Sequence, residues 1–244
     1  MDSRLFLTVA GLFGAGALLI HLDHRVHGLE RSRRHADWVK FGVFVPVVIS
    51  LLMAAQLGRG VAAGVLGLIG LGGAIDIHRN LRSRLRPVVS TAGFLLFSFS
   101  LGHLLVGYGQ MWTPSFCLLV VVVAATDAFS QLWGRLLGRH KLCPHLSPGK
   151  TVEGSVGGLM TAACVTSLLS FLQPGASWLC LVTLGLLTAT GGVAGDLLFS
   201  AFKRAAGIKD FSGLLPGHGG VLDRFDSLIV AAPVYYWSRM LLLS

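Results

Sequence analysis

Residues 177–204 read SWLCLVTLGLLTATGGVAGDLLFSAFKR. No charge interrupts the run from Ser177 to Gly195; Asp196, Lys203 and Arg204 then follow within nine positions. A helix crosses the hydrocarbon core of a bilayer with about 20 mainly apolar residues. The stretch therefore predicts a span, read as 177–199, whose last turns reach a polar boundary.

The same reading applied outward finds eight such stretches: roughly 5–22, 41–57, 61–77, 88–106, 115–133, 154–172, 177–199 and 225–243. Gly58 to Gly60 make a minimal turn between the second and third. Of the 244 residues 53% are hydrophobic and 13% charged, about half the charged share of a soluble domain. The expected fold is all-α, a polytopic integral membrane protein with about eight transmembrane helices. The first run has no basic leader and no small-residue cleavage site, so it reads as a retained span and not a cleaved signal.

Charge sets the expected orientation. The connections at 23–40, 78–87, 134–153 and 200–224 hold 17 of the 20 Lys and Arg residues. Basic loops stay in the cytoplasm, so both termini are expected on the non-cytoplasmic side. The net charge of +9 then needs no nucleic acid to explain it. Asp76, Asp127 and Asp196 lie inside apolar runs near the same side, and Asp223 and Asp226 open the last span from it. A carboxylate inside a membrane costs several kcal/mol unless paired or solvated. Five at one depth predict a shared polar cavity, with Asp76 equally readable as a structural pair.

The richest chemistry lies between Asp196 and Asp226. Asp196, Ser200 and Lys203 stand at helical spacing on one face. Lys209, Asp210 and His218 follow in a loop with Gly217, Gly219 and Gly220, whose backbone N–H groups suit phosphate oxygens. Asp223 and Asp226 then share one face of the next helix. Acids alone would repel a nucleotide triphosphate; acids holding a divalent cation, flanked by Lys and Arg, would bind it. Upstream, Asp127, Arg135, Arg139, Ser147, Lys150, Thr151 and Glu153 precede or open the sixth span. Ser147 or Thr151 can cap its helix, Pro148 suits a first turn, and Lys150 would stand beside that N-terminus. Gly149-Lys150-Thr151 is not the end of a P-loop: Pro144 occupies the first glycine position, and no strand is expected before it.

Ser200, Lys203, Arg204, Lys209, Asp210, Pro216, His218, Gly219, Gly220, Asp223, Arg224 and Asp226, in that spacing, resemble the hallmark pattern of the phosphatidate cytidylyltransferases. Ser147, Pro148, Lys150, Thr151, Glu153 and Gly154 match the same family, and the resemblance covers residues 127–227. It implies a catalytic membrane domain at 111–244 after N-terminal transmembrane helices at 1–110. It implies a homodimer in a membrane, the inner membrane in a bacterium, with its active site facing the cytoplasm. The implied reaction joins CTP and phosphatidate to give CDP-diacylglycerol and pyrophosphate. Asp196 and Asp223 would hold Mg²⁺, beside a second cation such as K⁺. Lys203, Arg204, Asp223 and Asp226 would be catalytic. Asp127, Arg135, Ser147, Lys150, Thr151, Glu153, Ser200, Lys209, Asp210, His218, Gly219, Gly220 and Arg224 would bind substrate. Three positions depart from the family pattern: Phe199 in place of Glu, Gln131 in place of Tyr, and Gly149 in place of a second Lys.

Other readings keep part of this chemistry. The lipid phosphate could carry an isoprenoid glycerol tail, or the enzyme could be a CTP-dependent lipid kinase releasing CDP. A transporter would place polar groups through the midplane, and here they gather at one depth. Cys117, Cys164 and Cys180 lie in apolar runs and read as small apolar residues, and Cys143 with His145 offers too few ligands for a zinc site. His21, His24, His27 and His35 read as solvated or headgroup-facing, and Trp112, Trp133, Trp178 and Trp237 chiefly as interfacial anchors.

Overall fold

The computed structural model describes residues 3–28, 30–81, 99, 103, 112–212 and 219–243. Apart from Phe99 and His103, the fourth expected span, 88–106, lies outside the described residues, as do most of the 78–87 connection and His218. The described chain is mostly helical: α1 (Ser3–Val26), α2 (Arg31–Leu57), α3 (Arg59–Leu81), α4 (Trp112–Leu137), α5 (Val152–Leu168), α6 (Trp178–Ala205) and α7 (Leu222–Leu242). Five of these, α1, α2, α3, α4 and α6, are long and apolar enough to cross a membrane.

The 23–40 connection is not the open loop that its charges suggested. Helix α1 runs to Val26, Gly28 turns the chain at φ +55°, and α2 already begins at Arg31. No proline or glycine interrupts Arg31–Phe41, so its Arg, Ala and Lys residues extend the helix beyond its apolar part. Gly58 alone, at φ +123°, separates α2 from α3.

Helix α4 is the centre of the bundle, packed against α1, α2, α5, α6 and α7. Every residue from Ser115 to Val123 is buried, the pattern of a helix that is apolar all round and enclosed. Small residues set its distance to α5. A Cβ on Gly158 would lie 2.8 Å from the Ser130 Cβ, and one on Gly154 would meet the Ser130 carbonyl oxygen at 2.5 Å. Helices α6 and α7 approach in the same way: a Cβ on Gly195 would lie 2.8 Å from the Asp226 carbonyl oxygen. Gly154, Gly158 and Gly195 thus each pack against a neighbouring helix of the same chain.

The 134–153 connection holds a hairpin where a loop without strands was expected. Strand β1 (Lys141–Cys143) pairs antiparallel with β2 (Ser147–Thr151), Lys141 opposite Thr151 and Cys143 opposite Ser147. Pro148 therefore sits in a strand, not in the first turn of a helix; it can do so because a two-stranded ribbon consists of edges. Thr151 is the N-cap of α5, its hydroxyl accepting the Gly154 N–H at 3.1 Å. Trp178 and Trp237 are exposed as expected of anchors, whereas Trp112 is buried, stacked on Phe116 with the Arg59 guanidinium over its ring.

Candidate active site

A cavity of about 590 Å³ opens between the α1–α2 hairpin, α4, β2, α6 and α7. Asp127 of α4, Asp196 of α6, and Asp223 and Asp226 of α7 line it together with Lys150 and Lys203. Each element delivers its group for a local reason. Asp196 stands one residue beyond Gly195, where the missing side chain lets α6 meet α7. Asp223 and Asp226 occupy the first turns of α7, and Lys150 is carried in by the hairpin.

The acids and lysines are paired. Lys150 Nζ lies 2.6 Å from Asp196 Oδ2, and Lys203 Nζ lies 2.7 Å from Asp223 Oδ1 and 3.9 Å from Asp226 Oδ2. The Ser200 hydroxyl donates to Asp196 Oδ1 at 3.4 Å, so the face predicted for Asp196, Ser200 and Lys203 exists. Asp223 is fixed from a second side: its Oδ2 accepts the backbone N–H of Phe211 at 2.8 Å and of Gly220 at 2.9 Å. Gly219 turns there at φ +77°, and a Cβ on Gly220 would collide with Asp76 and Ser212. These two glycines shape the loop around the Asp223 carboxylate.

Asp127, Asp196, Asp223 and Asp226 gather here with Lys150 and Lys203, and with Asp37, Asp210, Lys40, Arg135 and Arg224 the lining carries six acids against five cations, an excess of one negative charge when all are ionised. One divalent cation would more than offset that excess, and carboxylate oxygens are the donors that Mg²⁺ prefers. Asp196 and Asp223, the residues to which the family resemblance points, carry carboxylates of that donor type, and in this structure both are engaged by lysines, Asp223 also by two backbone N–H groups.

Asp127, Arg135, Ser147, Lys150, Thr151, Asp196, Lys203, Asp210, Asp223, Arg224 and Asp226 all line the cavity. The remaining predicted residues among those described stand around it. Arg204 is exposed and donates from Nε to the Leu146 carbonyl of the hairpin turn at 3.4 Å. Lys209 is exposed beyond the lining. Glu153 closes the base of the hairpin: its carboxylate accepts the Arg139 N–H at 3.0 Å and pairs with His140 Nδ1 at 2.6 Å. Those hydrogen bonds, led by the Arg139 backbone donor, hold its pKa down at about 2. Asp76 does not line the cavity. It is fully buried, and its Oδ2 accepts the Leu222 N–H at 3.1 Å, fixing the start of α7.

The departures from the family pattern have separate settings. Phe199 is buried with Phe211, Leu222 and Ile229, an apolar cluster in which a carboxylate would lack solvent. Gln131 and Gly149 lie on the cavity lining.

Sequence reasoning missed the contribution of the first two helices. Asp37 and Lys40 line the cavity. His24 is buried, not solvated, and bonds Asp37 Oδ2 at 3.1 Å. Arg135 reaches the same oxygen at 2.8 Å and Asp23 at 3.5 Å, and His27 bonds Asp23 at 3.0 Å. This ion network ties α1 and α2 to α4, and it lies far apart in sequence. Asp23 is buried and Asp37 half-buried, and no local sequence pattern signals their pairing with Arg135.

The family model described as the cytidylyltransferase family matches residues 10–242. The chain is 46% identical over 116 residues to the phosphatidate cytidylyltransferase of Staphylococcus saprophyticus, covering 47% of this chain and 44% of that protein. The corresponding figures for the phosphatidate cytidylyltransferase of Staphylococcus haemolyticus are 44% over 116 residues, 47% and 44%. The uncharacterized protein YnbB of Escherichia coli strain K12 is 43% identical over 119 residues, 49% of this chain and 40% of that protein. The chain thus matches less than half the length of these relatives.

Proposed function

Because the chain belongs to the cytidylyltransferase family, we propose that it transfers a cytidylyl group from CTP to phosphatidate. The products are CDP-diacylglycerol and pyrophosphate. One observation carries the reading: four carboxylates and two lysines, from α4, β2, α6 and α7, line one cavity at the ends of apolar helices.

In this reaction an oxygen of the lipid phosphate attacks the α-phosphorus of CTP. A new P–O bond forms, and the bond between the α-phosphorus and the bridging oxygen breaks, releasing pyrophosphate. The attacking oxygen is already anionic at neutral pH, so little base catalysis is needed. The barrier lies in bringing anions together and in charge on the leaving group, which positioning and electrostatics relieve. Lys203 and Lys150 supply fixed ammonium groups beside the acids. Arg224 at the rim and Arg204 beyond it add positive charge along the route of the polyphosphate. Asp223, held by two backbone N–H groups and Lys203, keeps one orientation throughout. Asp226 sets the far side of Lys203. Asp196 and Asp223 would hold Mg²⁺, which supplies Lewis-acid stabilisation of phosphate charge when bound.

The reading extends to topology. Eight spans with both termini outside would place the basic connections, and with them this cavity, in the cytoplasm. In a bacterium the enzyme would sit in the inner membrane, as a homodimer. An isoprenoid glycerol phosphate would use the same phosphate groups, and competing it against phosphatidate decides the tail. The direct test is an assay of membranes with labelled CTP and phosphatidate. CDP-diacylglycerol and pyrophosphate should appear, and Asp223→Asn should lower the rate at least about 100-fold. Release of CDP instead of pyrophosphate would identify a kinase, and an unimpaired Asn variant would remove Asp223 from the metal site.

A further inference from the structure

We propose that the face of α2 headed by Lys40 is the subsite for the lipid phosphate and one acyl chain, an inference that rests on the reading above. The cavity changes character along two helices. On α4 its lining runs from Asp127 back to Val123 and Val120, one and two turns earlier. On α2 it runs from Lys40 through Phe44 and Val48 to Leu51. The two helices present their charged ends together, because Arg135 of α4 reaches Asp37 of α2 at 2.8 Å. The cavity is therefore polar at one end and apolar along its length.

Lys40 differs from three other cations of the cavity. Lys150, Lys203 and Arg135 each pair with a carboxylate. Asp37, the acid one helical turn before Lys40, spends Oδ2 on His24 and Arg135. Lys40 is exposed at the lining and has no carboxylate partner among the described residues. An ammonium group so placed is available to an anionic headgroup. Below it, the apolar face from Lys40 to Leu51 extends about 16 Å at the helical rise, open around Val43 and Phe44 and closing at Val48 and Leu51, which are buried against the core. That length is about half of the ~30 Å hydrocarbon core, the depth of one leaflet and hence the reach of one lipid chain. A free phosphate would use the lysine and leave the apolar wall empty; a phosphatidate uses both.

The test measures dioleoyl phosphatidate binding to the purified full chain in detergent, without CTP, alongside steady-state turnover. Lys40→Gln should weaken lipid binding about tenfold, the loss of one charge-assisted contact. It should raise the KM for phosphatidate and leave the KM for CTP unchanged. Lys40→Arg should restore binding to within about threefold. Arg33→Gln, an exposed cation of the same helix outside the lining, should change nothing. Phe44→Trp should shift preference toward shorter acyl chains. Wild-type lipid affinity in Lys40→Gln, or equal weakening by Arg33→Gln, would overturn the proposal. So would displacement of the lipid by millimolar inorganic phosphate. Lys40-dependent binding with no CDP-diacylglycerol formed would instead refute the catalytic reading and leave the subsite standing.

Discussion

Lys203 Nζ stands 2.7 Å from Asp223 Oδ1, joining the end of α6 to the start of α7 across the candidate site. Both side chains are largely buried, at 12% and 5% exposure. Removing one partner of such a pair leaves an uncompensated charge, at a cost of about 3 kcal/mol or more. Lys203→Met and Asp223→Asn should therefore each lower the unfolding temperature, and the double variant should lose less than the sum. A coupling of at least about 1 kcal/mol is expected in that cycle. Additive losses would mean that the two groups act independently.

Lys150 and Asp196 form the second pair, at 2.6 Å, and both are more exposed, at 21% and 31%. An ion pair open to solvent contributes about 1 kcal/mol or less. Here stability and chemistry should separate. Lys150→Gln should move the unfolding temperature by only a degree or two, while turnover with CTP falls at least about 100-fold. A variant that keeps turnover would make Lys150 a strut of the hairpin and nothing more.

Glu153 makes the hairpin sensitive to acid. Its carboxyl pKa falls from 4.5 to about 2 in the folded protein, through the Arg139 N–H first and then the other hydrogen bonds. A depressed pKa means that the stabilisation is fully present above about pH 4.5 and is lost as pH falls through 2. The wild-type protein should therefore outlast Glu153→Gln at pH 5, and the difference should shrink steadily toward pH 2. Circular dichroism melts of both proteins across that range measure it. A constant difference would show that the carboxylate charge is irrelevant to the hairpin.

Much of this arrangement was written in residue types and spacing. Runs of about 20 apolar residues marked all seven described helices to within a few positions of their apolar parts, and acids at one end of them marked the cavity. What periodicity leaves open is where charged segments stop being loops. Arg31–Lys40 is polar, yet helical, because nothing in it breaks a helix. The hairpin at 141–151 was equally hidden, since strands of three and five residues give no usable alternation. Asp76 shows a further limit: a buried acid that binds a backbone N–H and one that faces a ligand have the same local sequence signature. The ion network of Asp23, His24, Asp37 and Arg135 depends on α1 and α2 packing against α4, a tertiary fact that no local pattern contains.

Gly195 links that packing to the chemistry. An added Cβ would lie 2.8 Å from the Asp226 carbonyl oxygen and 2.9 Å from the Val230 Cβ. Neither neighbour is the free end of a flexible chain, so α6 and α7 must part for Ala to fit. Overpacking of this kind costs about 1–3 kcal/mol. The displacement would also move Asp196, the next residue, away from Asp223 and Asp226. Gly195→Ala should thus lower the unfolding temperature and reduce turnover together, with weaker activation by Mg²⁺. Gly175→Ala supplies the contrast: it has open space for a Cβ but a backbone φ of +88°, in a turn remote from the cavity lining. That variant should lose stability through backbone strain and keep its response to Mg²⁺. If Gly195→Ala melts early yet titrates with Mg²⁺ like wild type, the contact between α6 and α7 does not position the acids.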